Sequence, residues 1–360
     1  MTSLFAPLEF THGPAMKNRF VLAPLTNLQS LPDGRLGEDE YRWLQLRAQG
    51  GFGLTMTCAS HVQAAGQGFR GQLGCWSDEH LPGLTRLATA LRVAGTVGVL
   101  QLHHAGLRAA KDLTGMSPVA PSSDAASGAR GLALPDVDRL REDFIAAALR
   151  AERAGFAGVE LHGAHGYVLC QFLSGETNRR DDRYGGPLEN RLRLVEEIIA
   201  GIRARCGAGF GLGLRLSPER YGLRTAEMLE VAARLMQGGA LDYLDLSLWD
   251  VFKEPEENEY RGRTLLDHFA ALDRGRTRIG AAGKIRSGAD ARRCLEAGAD
   301  FVIVGRAAIL HHDFPRRIET DPDFAMRALP VGADELRREG VGEAFLAYLR
   351  TWKDFVAADA

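Results

Sequence analysis

From about residue 20 onward the chain alternates short apolar, β-rich runs with longer amphipathic stretches, the sequence form of repeated βα units. Candidate strands cover 20–23, 54–57, 97–102, 159–162, 211–216, 243–246, 278–281 and 301–304. Helix-like patterns over 138–154, 189–206, 225–237 and 289–297 fall between them, several closing on Ala-Gly or Gly-Gly where glycine can end a helix at positive φ. Eight such units in one uninterrupted pattern predict a TIM (β/α)8 barrel, an α/β fold, rather than a doubly wound sheet. The residues before the first strand are expected to cap the barrel floor. Residues 1–360 then read as a single domain.

Composition narrows the function. With 44 Lys plus Arg against 46 Asp plus Glu, the net charge of −2 leaves no electrostatic footprint for nucleic acid or an acidic membrane. The N-terminal MTSLFAPLEF lacks a basic region followed by a long apolar run, and no run of ~18 apolar residues occurs, so a cytoplasmic location is expected. Cys58, Cys75, Cys170, Cys206 and Cys294 are scattered and never form CxxC, which argues for reduced, small apolar side chains rather than disulfides, zinc or an iron–sulfur cluster. Small-molecule chemistry is the remaining expectation.

Barrel enzymes place their chemistry at the C-terminal ends of the strands. Past the fourth strand the segment His162-Gly-Ala-His165-Gly-Tyr167 brings two imidazoles and a phenol within six residues. Imidazole N–H groups can hold a carbonyl oxygen and stabilise charge developing there, and a phenol of pKa about 10 can deliver a proton to carbon. The same HxxH spacing could supply two metal ligands, but no third ligand follows at the usual interval, so no metal is expected. Gln101 ends the third strand in QLHHAG, and its amide can both donate to and accept from a planar ring bearing adjacent C=O and N–H groups. Arg215, in LRLSP, would carry a cation into the barrel mouth, to be met either by an anionic ligand or by a carboxylate within the barrel. Gly283, Lys284 and Arg286 follow the seventh strand, and Gly305 with Arg306 follows the eighth, the two positions from which such barrels bind phosphate. A literal GxGxxG at Gly66–Gly71 neither follows a strand nor opens a helix and carries no dinucleotide reading.

Three connections are long: 108–135, 175–187, and 249–263 with its acidic run 254–259. Each follows a strand and is expected on the catalytic face, the acidic run as a solvated loop.

LFAPLEF with MKNRFVLAPLT, RAQGGFGLTMT, QLHHAG, GFAGVELHGAHGYVLCQFLS with NRRDDRYGGPLENR, LGLRLSP, and AAGKI with FVIVGRA together make the sequence resemble the old yellow enzymes across nearly its whole length. That family comprises FMN-containing, NADPH- or NADH-dependent ene-reductases on a TIM barrel. The resemblance implies that Pro24 and Thr26 line the flavin near N5 and the C4 carbonyl, with Leu25 and Ala59 also at the cofactor. Gln101 would meet the pyrimidine edge, Arg215 would face N1 and the C2 carbonyl, and Gly283, Lys284, Gly305 and Arg306 would take the phosphate. His162 and His165 would bind the carbonyl of an enone-type substrate and Tyr167 would protonate its α-carbon, with Leu28 and Trp249 as further substrate contacts. A related dehydrogenase or demethylase, or a non-catalytic FMN-binding protein, is the alternative. Self-association is common in the family, although no residue here fixes a number. The sequence departs from the family at Leu107, where arginine is frequent, and at Thr26, which is cysteine in one subgroup.

Overall fold

The computed structural model describes residues 3–358, so the first two residues of the expected cap lie outside the described residues. The apolar runs form parallel strands β1 (Phe20–Leu22), β2 (Leu54–Met56), β3 (Val97–His103), β4 (Gly158–Gly163), β5 (Gly211–Leu216), β6 (Tyr243–Ser247), β7 (Arg278–Ala282) and β8 (Phe301–Val304). Each pairs with its sequence neighbours, and β8 pairs with β1 through Phe20↔Val302, so the sheet closes into an eight-stranded barrel. A barrel helix follows each strand, α1 (Glu38–Gln49), α2 (Leu81–Val93), α3 (Leu134–Ala154), α4 (Leu188–Arg205), α5 (Thr225–Gln237), α6 (Leu265–Ala270), α7 (Gly288–Glu296) and α8 (Phe314–Thr320), with further short helices after β3, β4 and β8. The expected (β/α)8 architecture is present, with strand ends within one or two residues of those read from the sequence. No helix among the described residues is long and apolar enough to cross a membrane.

Helical periodicity selects what packs outside the barrel. In α3 the buried positions Val137, Leu140, Phe144, Ala147, Ala148 and Ala151 recur at three- and four-residue spacing, and the helix ends where Gly155 takes φ 91°. Four cysteines are buried in this outer core or against it, and burial pushes the Cys170 thiol up to about 12, as expected of an unreactive apolar side chain.

Inside, alternation along each strand stacks side chains in layers. The lowest layer is apolar: Phe10 lies 5.7 Å from Tyr243 and 6.5 Å from Phe301, ring centre to ring centre, and Leu8 and Met16 pair across the hairpin that carries Phe10. This segment plugs the floor, as expected of the N-terminal cap. Two strand glycines make room for the rings. A Cβ on Gly213 would lie 2.1 Å from Tyr243 Cζ, and one on Gly280 would lie 2.3 Å from Phe301 Cε2. The long connections lie at the other end, where Arg180 of 175–187 donates to the carbonyls of Pro121 and Leu132 and ties that segment to 108–135.

Overpacking of this floor gives the first expected outcome. Gly280→Ala should lower stability by about 1–3 kcal/mol, read as a fall in the urea midpoint at unchanged m-value. An unchanged midpoint would show that the Phe301 ring can move aside without cost.

Candidate active site

A cavity of about 460 Å³ opens at the C-terminal ends of the strands. It brings together Pro24, Leu25, Thr26, Ala59, Gln101, His162, His165, Tyr167, Arg215, Trp249, Gly283, Lys284, Gly305 and Arg306. Leu28 is the exception among the expected site residues and does not line the cavity. Its backbone is left-handed at φ 60°, and its carbonyl packs so closely on Gly71 that a Cβ there would sit 2.4 Å away. Arg108, Tyr221, Ser247, Tyr348 and Trp352 line the cavity without having been anticipated.

The polar layer above the apolar floor comes from adjacent strands in register. Gln101 of β3 faces Glu160 of β4, donating from Nε2 to Glu160 Oε1 at 2.7 Å. Arg215 of β5 faces Asp245 of β6, with Nε 3.3 Å from Oδ2. The carboxylate reading of Arg215 is therefore realised, and the same side chain still lines the cavity. Burial and the neighbouring Asp245 charge hold the Glu160 carboxyl well above the usual carboxylate range. Burial pushes Asp245 up to about 6 against the opposing pull of Arg215.

The segment from His162 to Tyr167 sits one layer higher. His162 Nδ1 accepts from the Ala164 N–H at 3.3 Å, which leaves the proton on Nε2. That proton points to His165 Nδ1 at 3.2 Å, and His165 Nε2 in turn reaches Ser247 Oγ at 2.7 Å. Both rings thus carry an Nε2 proton. His165 adopts φ 60° and Gly166 φ 70°, a left-handed pair that turns the chain sharply, anchored where the His165 N–H donates to Ser217 Oγ at 3.0 Å. Tyr167 follows, its ring edge-on to His103 at 4.3 Å and to His162 at 5.0 Å. Arg108 lies over the same ring at 4.9 Å and donates to the His165 carbonyl at 2.7 Å.

Electrostatics keeps these groups neutral. Burial, followed by the charges of Arg215 and Arg108, lowers His165 to about 3, and burial with His165, His103 and Arg215 holds His162 far below its ordinary value. Burial raises the Tyr167 phenol against the opposing effect of Arg108. Near pH 7 the segment presents uncharged N–H and O–H donors.

At the opposite wall Gly283 takes φ 149°, and a Cβ would lie 2.8 Å from the Trp249 carbonyl carbon, so no other residue fits. Gly305 differs: a Cβ there would meet only Leu25 Cδ2 at 3.5 Å and Ala23 Cβ at 3.8 Å. A cradle is left open at a loop flanked by Lys284, Arg286 and Arg306. Arg47 sets that loop from behind. Fully buried, it donates to the carbonyls of Ala308 at 3.2 Å, Ile309 at 3.3 Å and Glu339 at 2.6 Å, fixing the short helix Arg306–Leu310. These residues fit a flavin mononucleotide: Gln101 Oε1 is free to accept from a ring N–H, Arg215 can face a negative pyrimidine edge, and the cationic glycine loops can take a phosphate. Among the described residues no group of three His, Cys, Asp or Glu side chains could hold a metal ion.

A barrel with a phosphate cradle at its last two strands and paired imidazoles beside a phenol at its fourth defines the class: a flavin-dependent oxidoreductase. Residues 3–323 match the family model described as the NADH:flavin oxidoreductase / NADH oxidase family. The chain is 32% identical over 342 residues to the probable NADH-dependent flavin oxidoreductase YqiG of Bacillus subtilis (strain 168), covering 92% of both chains. Morphinone reductase in complex with tetrahydroNAD superposes with a TM-score of 0.79 at 28% identity, over 93% of this chain and 94% of that one. The old yellow enzyme homologue from Zymomonas mobilis gives a TM-score of 0.79 at 28% identity, over 93% and 96%. The chain belongs to the NADH:flavin oxidoreductase family, that of the old yellow enzymes, and is an FMN-binding, NADH- or NADPH-dependent oxidoreductase.

The depressed histidines fix a pH dependence. An imidazole whose folded pKa lies below its unfolded value of about 6.5 costs nothing above that pH. Below it the unfolded chain binds protons that His61, His104 and His165 refuse until about pH 4, 3 and 3. The histidine contribution to stability should therefore be full above about pH 6.5 and fall as pH drops toward 4, opposed over the same range by Asp245 and Glu160, whose raised carboxyls take up protons in the folded state first. Imidazole signals followed by NMR from pH 7.5 to 5.0 check this, and a His61, His104 or His165 ring that titrates near 6.5 would contradict the neutral assignment.

Proposed function

We propose that this enzyme reduces the activated C=C bond of α,β-unsaturated carbonyl compounds by a ping-pong sequence in which nicotinamide and substrate use one pocket in turn. The observation that carries this reading is the neutral donor set, His162, His165 and Tyr167, gathered over the wall that suits a flavin. FMN, when bound, supplies the two-electron relay, accepting hydride from NADH or NADPH and passing hydride to the β-carbon of the alkene. The chain's own residues do the rest.

His162 and His165 hold the carbonyl oxygen. Their Nε2 protons are now committed to His165 Nδ1 and Ser247 Oγ, so an arriving oxygen exchanges a contact of comparable strength rather than desolvating a bare donor. Withdrawal of electron density toward these N–H groups makes the β-carbon electrophilic. Gln101 and Arg215 orient the pyrimidine edge, while Pro24, Leu25, Thr26 and Ala59 wall the ring and Gly283, Lys284, Gly305 and Arg306 take the phosphate. Tyr167 Oη delivers a proton to the α-carbon as the β-carbon receives hydride, so the balance is NAD(P)H plus H⁺ plus alkene giving NAD(P)⁺ plus the saturated carbonyl compound. The phenol is protonated at neutral pH even at its ordinary pKa of about 10, and burial raises it further against the pull of Arg108. Trp249, half exposed under the Arg220 guanidinium, flanks the entrance.

Purified protein should be yellow and release FMN on denaturation. Anaerobic NADPH or NADH should bleach it, and cyclohexenone should restore the colour. Tyr167→Phe should slow the enone-driven reoxidation by roughly 10²–10⁴-fold while leaving flavin reduction by nicotinamide near its original rate. Equal loss in both half-reactions would remove Tyr167 from the role of carbon acid, and a flavin that nicotinamide reduces but enone does not reoxidise would refute the ene-reductase reading.

A further inference from the structure

The cavity wall carries five cations, Arg108, Arg215, Lys284, Arg286 and Arg306, and no Asp or Glu. Four of them have an account. Arg215 meets Asp245, Lys284 meets Asp250 at 3.0 Å, and Lys284, Arg286 and Arg306 surround the glycine loops after β7 and β8. Arg108 has none. It follows β3, three strands round the barrel from β8, and has no contact with the glycine loops after β7 and β8 among the described residues.

Its contacts within the protein are with neutral groups. One Nη1 proton goes to the His165 carbonyl at 2.7 Å, and the guanidinium lies over the Tyr167 ring at 4.9 Å. Among the described residues no carboxylate pairs with it. A guanidinium has five donor hydrogens in a planar fork, so most of that fork remains for a ligand. The hydrogen bond to His165 and the stacking on Tyr167 fix the group beside the two side chains proposed to bind the carbonyl and protonate the alkene. Tyr221, on the same wall, carries a left-handed backbone at φ 56° and feels the Arg108 charge.

We propose that Arg108 is an anion subsite and that the preferred substrates are unsaturated carbonyl compounds bearing a carboxylate on the alkene, that is, oxo-enoates. This rests on the ene-reductase reading above and specifies its substrate class. In a 4-oxo-2-enoate the ketone oxygen goes to the histidine pair and the carboxylate, at the far end of the alkene, pairs with the Arg108 fork. The reaction is the one already balanced: hydride adds to the carbon bearing the carboxylate, the Tyr167 proton adds to the carbon next to the ketone, and the product is the saturated oxo acid. Anionic chemistry at this spot has a second source, the phosphates of the nicotinamide donor, and the test separates the two.

The experiment compares trans-4-oxo-2-pentenoate with its methyl ester, which keeps the alkene and ketone and removes the charge. With the wild-type holoenzyme, kcat/KM should favour the acid over the ester by tenfold or more. Arg108→Gln should lower that acid-to-ester ratio at least tenfold, through a raised KM for the acid, and Arg108→Lys should restore part of it. FMN content per chain reads whether each variant is folded. KM values for NADH and NADPH are measured alongside. Equal use of acid and ester by the wild type overturns the proposal, as does an Arg108→Gln ratio that does not fall. A raised KM for NADPH with the acid-to-ester ratio unchanged also overturns it and gives the guanidinium to the donor. A protein that reduces neither compound, although its flavin is reduced by nicotinamide, fails the ene-reductase reading itself, whereas good turnover of the ester with no preference for the acid fails this inference alone.

Discussion

The site stands on a buried ionic layer. Arg215 and Asp245 face each other across β5 and β6, and Gln101 bonds Glu160 across β3 and β4, above an apolar floor and below the reactive imidazoles. Two carboxyl groups share this volume with one guanidinium, and two full negative charges there would be costly, so burial and the Asp245 charge raise the Glu160 carboxyl while Asp245 pairs with Arg215. Arg215 still lines the cavity above them. Strand register imposes the arrangement: a shift of one residue in β5 would send Arg215 out of the barrel and bring an apolar neighbour in.

The same alternation explains why so much of the fold could be read in advance. Parallel strands covered on both faces must be nearly continuous apolar runs, so the eight strands announced themselves. His162 and Arg215 follow as residues that break such a run near its C-terminal end. Gly283 likewise marks a backbone that no other residue can adopt. Less legible was everything brought to the mouth from elsewhere in the chain. Tyr348 and Trp352 arrive from the helix Glu343–Leu349 and the turn after it, more than forty residues past β8, and only tertiary folding shows that they reach the cavity. Ser247 ends β6 as an ordinary strand residue, and nothing local distinguishes it until His165 Nε2 is found 2.7 Å away.

Backbone strain marks the difference between scaffold and site. Among the described residues seven non-glycine residues have positive φ, and five of them are His165, Arg220, Tyr221, Trp249 and Lys284, each lining the cavity or adjoining a residue that does. Such conformations cost of order 1–3 kcal/mol each and persist only where the surroundings enforce them. Leu28 shows why a family resemblance can mislead at this level. Its place in the sequence suggested a substrate contact, but its left-handed backbone packs its carbonyl on Gly71 and leaves Leu25 and Thr26 to line the wall. Arg47 is the counterpart on the scaffold side, a buried guanidinium over the Trp43 ring whose donors go to backbone carbonyls, two of them in the helix that follows Gly305.

Cations at the mouth also bias which protonation states the segment from His162 to Tyr167 can hold. Arg215 and Arg108 both oppose a charge on His165, and burial reinforces them, so the imidazoles remain neutral donors over any ordinary working pH. An imidazolium pair would hold a carbonyl oxygen more strongly, but two adjacent buried positive charges beside two guanidiniums would not survive the desolvation cost. For Tyr167 the two influences oppose each other: burial raises its pKa and Arg108 lowers it. A phenol buried without that cation would be a still weaker acid. In the proposed role, the guanidinium over the ring would favour the phenolate left by proton transfer, and a carboxylate drawn to the same guanidinium would weaken that help. Under that proposal, an anion on the outer edge of the fork, away from the face over the ring, is the arrangement that would let Arg108 serve both.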